Sequence, residues 1–329
     1  MARLTVGTLA AMSTPDLAAL ADRLAGVGDL RALTGGASSL TYSGVRDGVR
    51  VVVKVAPAGV EPVLHRDVVR QARVLRALAG AGLPLPTVLH EDPGAPVAVP
   101  PLFVMAFLDG SSLEPLFDRD VDGPPPDVVA ERWRDAARVL ARLHTIAPTA
   151  VGLGDEPVAA ATDEVERWAR TLRTVDRSLV PAWEDVAARL RDTAPAPASA
   201  AIVHGDFRLG NLLAVGGRIT AVVDWEIWSV GDPRIDLGWF LLNADPGTYR
   251  RATPYADATP SSDALLAEYA AALGHAVPDV AWFTALAAFK SAASWGLIIK
   301  HNRRRADPDP AVEAMGADLP YLLDRARAH

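Results

Sequence analysis

Cysteine is absent from the 329 residues, which excludes disulfides and thiolate-held metal sites and leaves nothing that points to an oxidising compartment. Positive charge is in deficit, with 40 Asp and Glu against 33 Lys and Arg, a net charge of −7 and a pI near 5.5. A general nucleic-acid binder would carry a basic face, so nucleic acid is not an expected partner. Uninterrupted apolar runs are short, none approaching the roughly 18 residues of a membrane span, and no membrane partner is expected. The stretch from Leu4 to Met12 is short for a signal-peptide core and contains Gly7. It runs into Ser13-Thr14-Pro15-Asp16, which reads as a helix start with a hydroxyl cap, a proline in the first turn and an early acid. A cytoplasmic location is the resulting expectation. Lysine is scarce, limited to Lys54, Lys290 and Lys300, and no internal repeat is evident.

What is present suffices for one large domain or two modest ones, since half of the residues are hydrophobic. Thr34-Gly35-Gly36-Ala37-Ser38-Ser39 is a small-residue turn between apolar segments. Val49 to Val55 is a β-branched run that carries Lys54 and reads as a buried strand. Leu64 to Ala79 places Val68, Ala72, Leu75 and Leu78 at helical spacing, and strand candidates follow at Thr87 to His90 and Leu102 to Phe107. From Asp109 the character turns helical. Asp127 to Thr145 is a strong amphipathic helix, and a second helical region is expected from about Thr162 to Thr193. The Ala194 to Ala200 stretch, with two prolines, reads as a connector. Short strands at Ala201 to Val203 and Ile219 to Val223 flank a polar loop, and the chain from about Pro260 is helical. The outline is α+β, with a β-rich lobe over residues 1–108 and a mostly helical lobe over 109–329.

Chemistry concentrates in Ile202-Val203-His204-Gly205-Asp206-Phe207-Arg208-Leu209-Gly210-Asn211, followed by Val222-Val223-Asp224-Trp225-Glu226. An apolar strand ends in an acid, a carboxamide lies five residues on, and a second acid ends the next strand. Phosphoryl transfer needs such groups: one carboxylate to orient the attacking hydroxyl and take its proton, and oxygen ligands for Mg²⁺. Asp206 suits the first role, and Asn211 and Asp224 the second. A lysine inside a buried strand must find an anion, and nucleotide phosphates would supply one for Lys54.

These residues resemble the aminoglycoside phosphotransferase family, which shares the two-lobed protein-kinase-like fold, over nearly the whole chain from about Leu33 to Trp295. The marks are His204-Gly205-Asp206 with Asn211, and Asp224-Trp225-Glu226 leading to Gly231-Asp232-Pro233-Arg234-Ile235-Asp236-Leu237. The resemblance implies ATP as donor, with GTP open, Mg²⁺ as cofactor, and a small-molecule hydroxyl as acceptor. It makes Asp206 the catalytic base, Asn211 and Asp224 metal ligands, and Asp236 an internal brace of the loop. Gly35, Gly36, Ser38 and Ser39 fall where the family holds nucleotide phosphates, and backbone at Ala106 and Leu108 where it holds adenine. His204 reads as a scaffold residue, and His144 as a helix C-terminal residue without a catalytic role.

One position departs from the family pattern. The glutamate that usually pairs with the strand lysine is replaced by Gln71, which can accept a hydrogen bond from Lys54 but cannot neutralise it. Weaker lysine positioning and modest ATP affinity are expected, unless Glu61 or Asp67 substitutes. A nucleotide-binding module without turnover is therefore the alternative. A metal-dependent hydrolase would use the same acids, but the seven histidines are scattered and Lys54 would be left unexplained. From Ala281 onward seven Lys or Arg face five Asp or Glu, which leans toward an anionic or neutral acceptor. Trp282, Phe283, Phe289, Lys290, Trp295 and Gly296 resemble the subgroup related to the kinase-like domains of acyl-CoA dehydrogenase fusion proteins, which implies a hydroxyacyl-CoA acceptor.

Overall fold

The computed structural model describes residues 20–33, 39–116, 123–250 and 253–328. The stretch from Leu4 to Met12, the helix start at Ser13 to Asp16, and Gly35, Gly36 and Ser38 of the small-residue turn lie outside the described residues. The chain divides into two compact units. The first runs to Ser111 and adds Leu213–Val215 and Thr220–Trp228; the second takes Ser112–Leu212, Gly216–Ile219 and the chain from Ser229.

The first unit is built on β1 (Gly28–Ala32), β2 (Leu40–Arg46), β3 (Val49–Val55), α1 (Val68–Ala77), β4 (Val88–Asp92) and β5 (Leu102–Ala106). Its five strands form an antiparallel sheet in the order β1-β2-β3-β5-β4. Asp47 and Gly48 make the β2–β3 turn, both at positive φ (53° and 77°), which suits the primed turns that match strand twist. On β3 the two-residue period sends Val51, Val53 and Val55 into a core with Leu20, Leu24, Leu102 and Val104, and turns Lys54 to the other face. The helix expected from Leu64 begins only at Val68, because Asp67 caps it by accepting the Arg70 N–H at 2.9 Å. Its buried stripe is Val68, Gln71, Ala72, Val74 and Leu75, so a carboxamide stands in an otherwise apolar face. Arg70 and Trp228 clasp this helix to the 220–228 segment. The indole N–H donates to the Arg70 carbonyl, the guanidinium donates to the Trp228 carbonyl, and its carbon lies 3.9 Å from the ring centroid.

The second unit contains α2 (Pro126–His144), β6 (Val158–Ala159), α3 (Ala161–Leu172), α4 (Trp183–Asp192) and β7 (Ala201–Val203). A ribbon of β8 (Leu212–Val215) and β9 (Arg218–Val222) follows, its residues divided between the units. The second unit continues with β10 (Ser229–Gly231), α5 (Arg234–Ala244), α6 (Ser262–Leu273), α7 (Val280–Asn302), α8 (Pro310–Ala314) and α9 (Leu319–Arg327). β10 lies between β6, to which it is parallel, and β7, to which it is antiparallel. The single helical region expected from Thr162 to Thr193 is two helices. The Asp176 carboxylate accepts the Ser178 N–H and hydroxyl in a local turn, and Pro181 and a left-handed Ala182 (φ 52°) follow, so no helix passes through.

Every residue of α5 is buried, and its Gly238 lies against the backbone of Phe283 on α7, where an added Cβ would sit 2.3 Å from the carbonyl oxygen. By length and mean apolarity α7 could cross a membrane, a property hidden by counting only uninterrupted runs. In the fold 78% of its apolar window is buried as the core of the second unit.

Candidate active site

In the second unit, β7 ends at Val203 and the chain turns sharply. Gly205 has φ 85°, a left-handed conformation open to glycine at little cost. The turn is anchored from within by Asp236 of α5, whose carboxylate accepts the backbone N–H groups of His204 (2.6 Å) and Gly205 (2.8 Å). Burial works against charge on Asp236, but the hydrogen bond and charge of His144, with the His204 contribution, outweigh it and hold the carboxyl below its usual range. His144 reaches Asp236 through Nε2 at 3.5 Å and the Tyr269 hydroxyl through Nδ1 at 2.6 Å. His144 thus does more than end a helix: it helps to hold the brace. His204 is wholly buried, and its Nδ1 accepts the Asp206 N–H at 3.2 Å, a scaffold role.

Asp206, at the end of this turn, is partly buried and held by three side chains. Trp239 donates its indole N–H to Oδ1 at 2.8 Å, Asn211 donates to Oδ2 at 2.7 Å, and Arg208 Nε lies 3.2 Å from each oxygen. Asn211 also donates to the Asp206 carbonyl at 2.9 Å. Both hydrogens of its amide are thereby engaged, and the carboxamide oxygen remains to meet a cation. Arg208 bridges onward to Glu114. Lys290 of α7 donates to the Gly205 carbonyl, with its ammonium 3.8 Å from the centre of the Trp239 ring. Burial drives this lysine down to about 8, against the pull of Asp206 and Glu164.

The first unit brings Lys54 to Gln71 and Asp224. Its ammonium donates to Gln71 Oε1 at 3.0 Å and to Asp224 Oδ1 at 3.1 Å. Because the lysine can only donate, the carboxamide must present its oxygen, which strands Nε2: this buried atom has no hydrogen-bond partner. Neither expected substitute takes the glutamate's place, since Asp67 is the helix cap and Glu61 is exposed. Asp224 is instead the lysine's anionic partner, and it sits in the left-handed region at φ 68°. Such backbone costs a non-glycine residue on the order of 1 kcal/mol and clusters at functional sites. Ser39 is buried just before β2. At the end of β5 the Ala106 N–H is taken by the Thr87 carbonyl at 2.9 Å, so Ala106 has only its own carbonyl to offer, while Leu108 lies beyond the strand.

Trp239, Arg208 and Glu114 escaped the sequence reading. Trp239 stands three residues after Asp236 on a fully buried helix, where an indole reads as core; the signal was its place in that motif. Asp224 in the first unit offers a carboxylate and Asn211 in the second a carboxamide oxygen, each a hard donor of the type magnesium takes. Among the described residues no cluster of three or more His, Asp or Glu forms a cage by itself.

The sequence profile of the phosphotransferase enzyme family matches residues 29–286. Acyl-CoA dehydrogenase family member 10 of Mus musculus is 28% identical over 197 residues, 59% of this chain and 18% of that protein. The chain therefore spans less than a fifth of that relative. A candidate aminoglycoside phosphotransferase from Ralstonia eutropha superposes with a TM-score of 0.75 at 24% identity, covering 94% of this chain and 95% of that one. A thermostable mutant of aminoglycoside phosphotransferase APH(4)-Ia, in ternary complex with ADP and hygromycin B, gives 0.62 at 19% identity, with 94% and 96% covered. At such identity the likeness establishes the fold, a kinase-like α+β architecture, as the sequence implied.

Proposed function

The chain belongs to the phosphotransferase enzyme family, and we propose that it transfers the γ-phosphate of ATP, with magnesium, to a hydroxyl group of a small molecule. The observation that carries this reading is the Asp206 carboxylate, fixed by Trp239, Asn211 and Arg208 on a loop braced from below by Asp236. A carboxylate so fixed orients an acceptor hydroxyl and takes its proton as the bond to phosphorus forms. Magnesium ATP supplies the transferable phosphoryl group and screens its charge. On this reading Asn211 and Asp224 hold the ion, and Lys54 takes the α- and β-phosphates. Ala106 accepts from the adenine amino group through its carbonyl, Leu108 donates its N–H, and Gly35, Gly36, Ser38 and Ser39 meet phosphate oxygens through backbone N–H groups. Positioning and charge would supply most of the acceleration, because phosphoryl transfer asks little covalent help of a protein.

Replacement of Asp206 by alanine tests the assignment. Turnover should fall at least about a hundredfold, the lower range for losing a general base, while ATP binding persists. An equal loss of ATP binding would make Asp206 a structural or metal-holding residue instead.

For the acceptor, we favour a hydroxyacyl-CoA or a related anionic alcohol, on the basic lean of the C-terminal region and the similarity to acyl-CoA dehydrogenase family member 10. A panel of hydroxyacyl-CoA compounds beside kanamycin-type drugs and hygromycin B decides this. Phosphorylation of the antibiotics alone would defeat it.

A further inference from the structure

Trp239 already holds Asp206 in the proposed chemistry, but Lys290, packed on the Trp239 ring, has no part in it yet. The Trp239 ring is engaged twice, its edge donating to Asp206 Oδ1 at 2.8 Å and its face receiving the Lys290 ammonium at 3.8 Å. The same ammonium donates to the carbonyl of Gly205, the residue that precedes Asp206. We propose that Trp239 and Lys290 act together as positioning residues for Asp206, the indole aiming one carboxylate oxygen and the ammonium locking both the ring and the turn that carries the carboxylate.

Stability alone gives no reason for a lysine here. Lys290 is buried, has no carboxylate within ion-pairing distance among the described residues, and would be replaced at a gain by an apolar side chain of similar shape. Its attraction to the ring face and its bond to one carbonyl are directional, and both terminate on groups that fix Asp206. The groups that face it are Trp168, Glu164 and Arg167 from α3, Asp206 from the loop, and Asp236 with Trp239 from α5. Glu164 is occupied with the Trp168 indole and Arg167, so it does not serve as the partner. Because burial brings the Lys290 pKa down to about 8, the ammonium is present at neutral pH and lost above it, and the aim of Asp206 should loosen over that range.

The inference rests on Asp206 being the base, and the test separates the two. ATP hydrolysis by the full chain, with water as acceptor, is measured for wild type, Asp206→Ala, Trp239→Phe and Lys290→Met, beside melting curves. Trp239→Phe keeps an aromatic face beside Lys290 but removes the N–H together with the five-membered ring. It should stay folded with a lowered melting temperature, keep its KM for magnesium ATP, and lose about tenfold in kcat, the cost of one oriented hydrogen bond to a charged group. Wild-type kcat should fall as pH rises through about 8, whereas Lys290→Met should be low and flat across that range. A folded Trp239→Phe with wild-type kcat overturns the proposal while leaving the kinase reading intact if Asp206→Ala is dead. The indole N–H resonance of Trp239, assigned by loss in Trp239→Phe, gives a readout that needs no turnover. It should shift as pH passes 8 in wild type and stay fixed in Lys290→Met, even if no nucleotide is hydrolysed; a wild-type resonance that does not move overturns the proposal.

Discussion

Gln71 and Lys290 each put a polar group where the surrounding residues are apolar, and each leaves a measurable trace. Gln71 satisfies Lys54 with its oxygen at the expense of a stranded Nε2, and leaves Asp224 as the lysine's anionic partner. Gln71→Glu removes the stranded donor and adds a second anion beside Lys54. Asp224 is thereby released toward a cation, so ATP should bind more tightly and turn over faster. Unchanged ATP affinity and unchanged turnover would show that the departure from glutamate has no consequence. Lys290 carries its own signature in stability. Its folded pKa of about 8 lies below the ordinary lysine value of 10.5, so between these limits the unfolded chain binds more protons than the folded one. Burial of the charge is a full cost below pH 8 and is relieved as pH rises toward 10.5. Wild type should therefore gain about 2 kcal/mol relative to Lys290→Met between pH 7 and pH 9.5, by urea unfolding at each pH. A constant difference between the two proteins would contradict this.

At the scale of elements, one close approach governs the site. Gly238 lets α5 lie directly on the backbone of Phe283, and α5 brings Asp236 and Trp239 while α7 brings Lys290. Gly238→Ala drives a methyl group against a carbonyl that no rotamer change can move. A loss of about 1–3 kcal/mol, the usual cost of overpacking, should appear in the urea midpoint together with reduced turnover. A wild-type midpoint would mean that the helices separate freely. Periodicity made most elements legible, β3 and α2 among them, because each buries one regular stripe. It failed where short polar side chains bind their own backbone, as Asp176 does between α3 and α4. It failed again for α5, whose wholly buried sequence has no polar face to set a period.

For the molecule as a whole, the α+β class and the family were legible, because His204-Gly205-Asp206 with Asn211, and Asp224-Trp225-Glu226, stand in the order that carries the resemblance. What holds Asp206 was not. Trp239, from a helix, and Arg208, from the loop, reach the Asp206 carboxylate, and Lys290, from a distant helix, reaches the Gly205 carbonyl beside it; no local spacing announces that Trp239 and Lys290 arrive there. The most direct test of phosphotransfer at this site is a calorimetric titration of the purified protein with ATP and with GTP, each with and without magnesium. Saturable binding that requires magnesium, and that survives Asp206→Ala, is the predicted result and identifies the phosphate donor. The absence of binding by either nucleotide would contradict it, and would make the unpaired amide of Gln71 the mark of a module that has lost its chemistry.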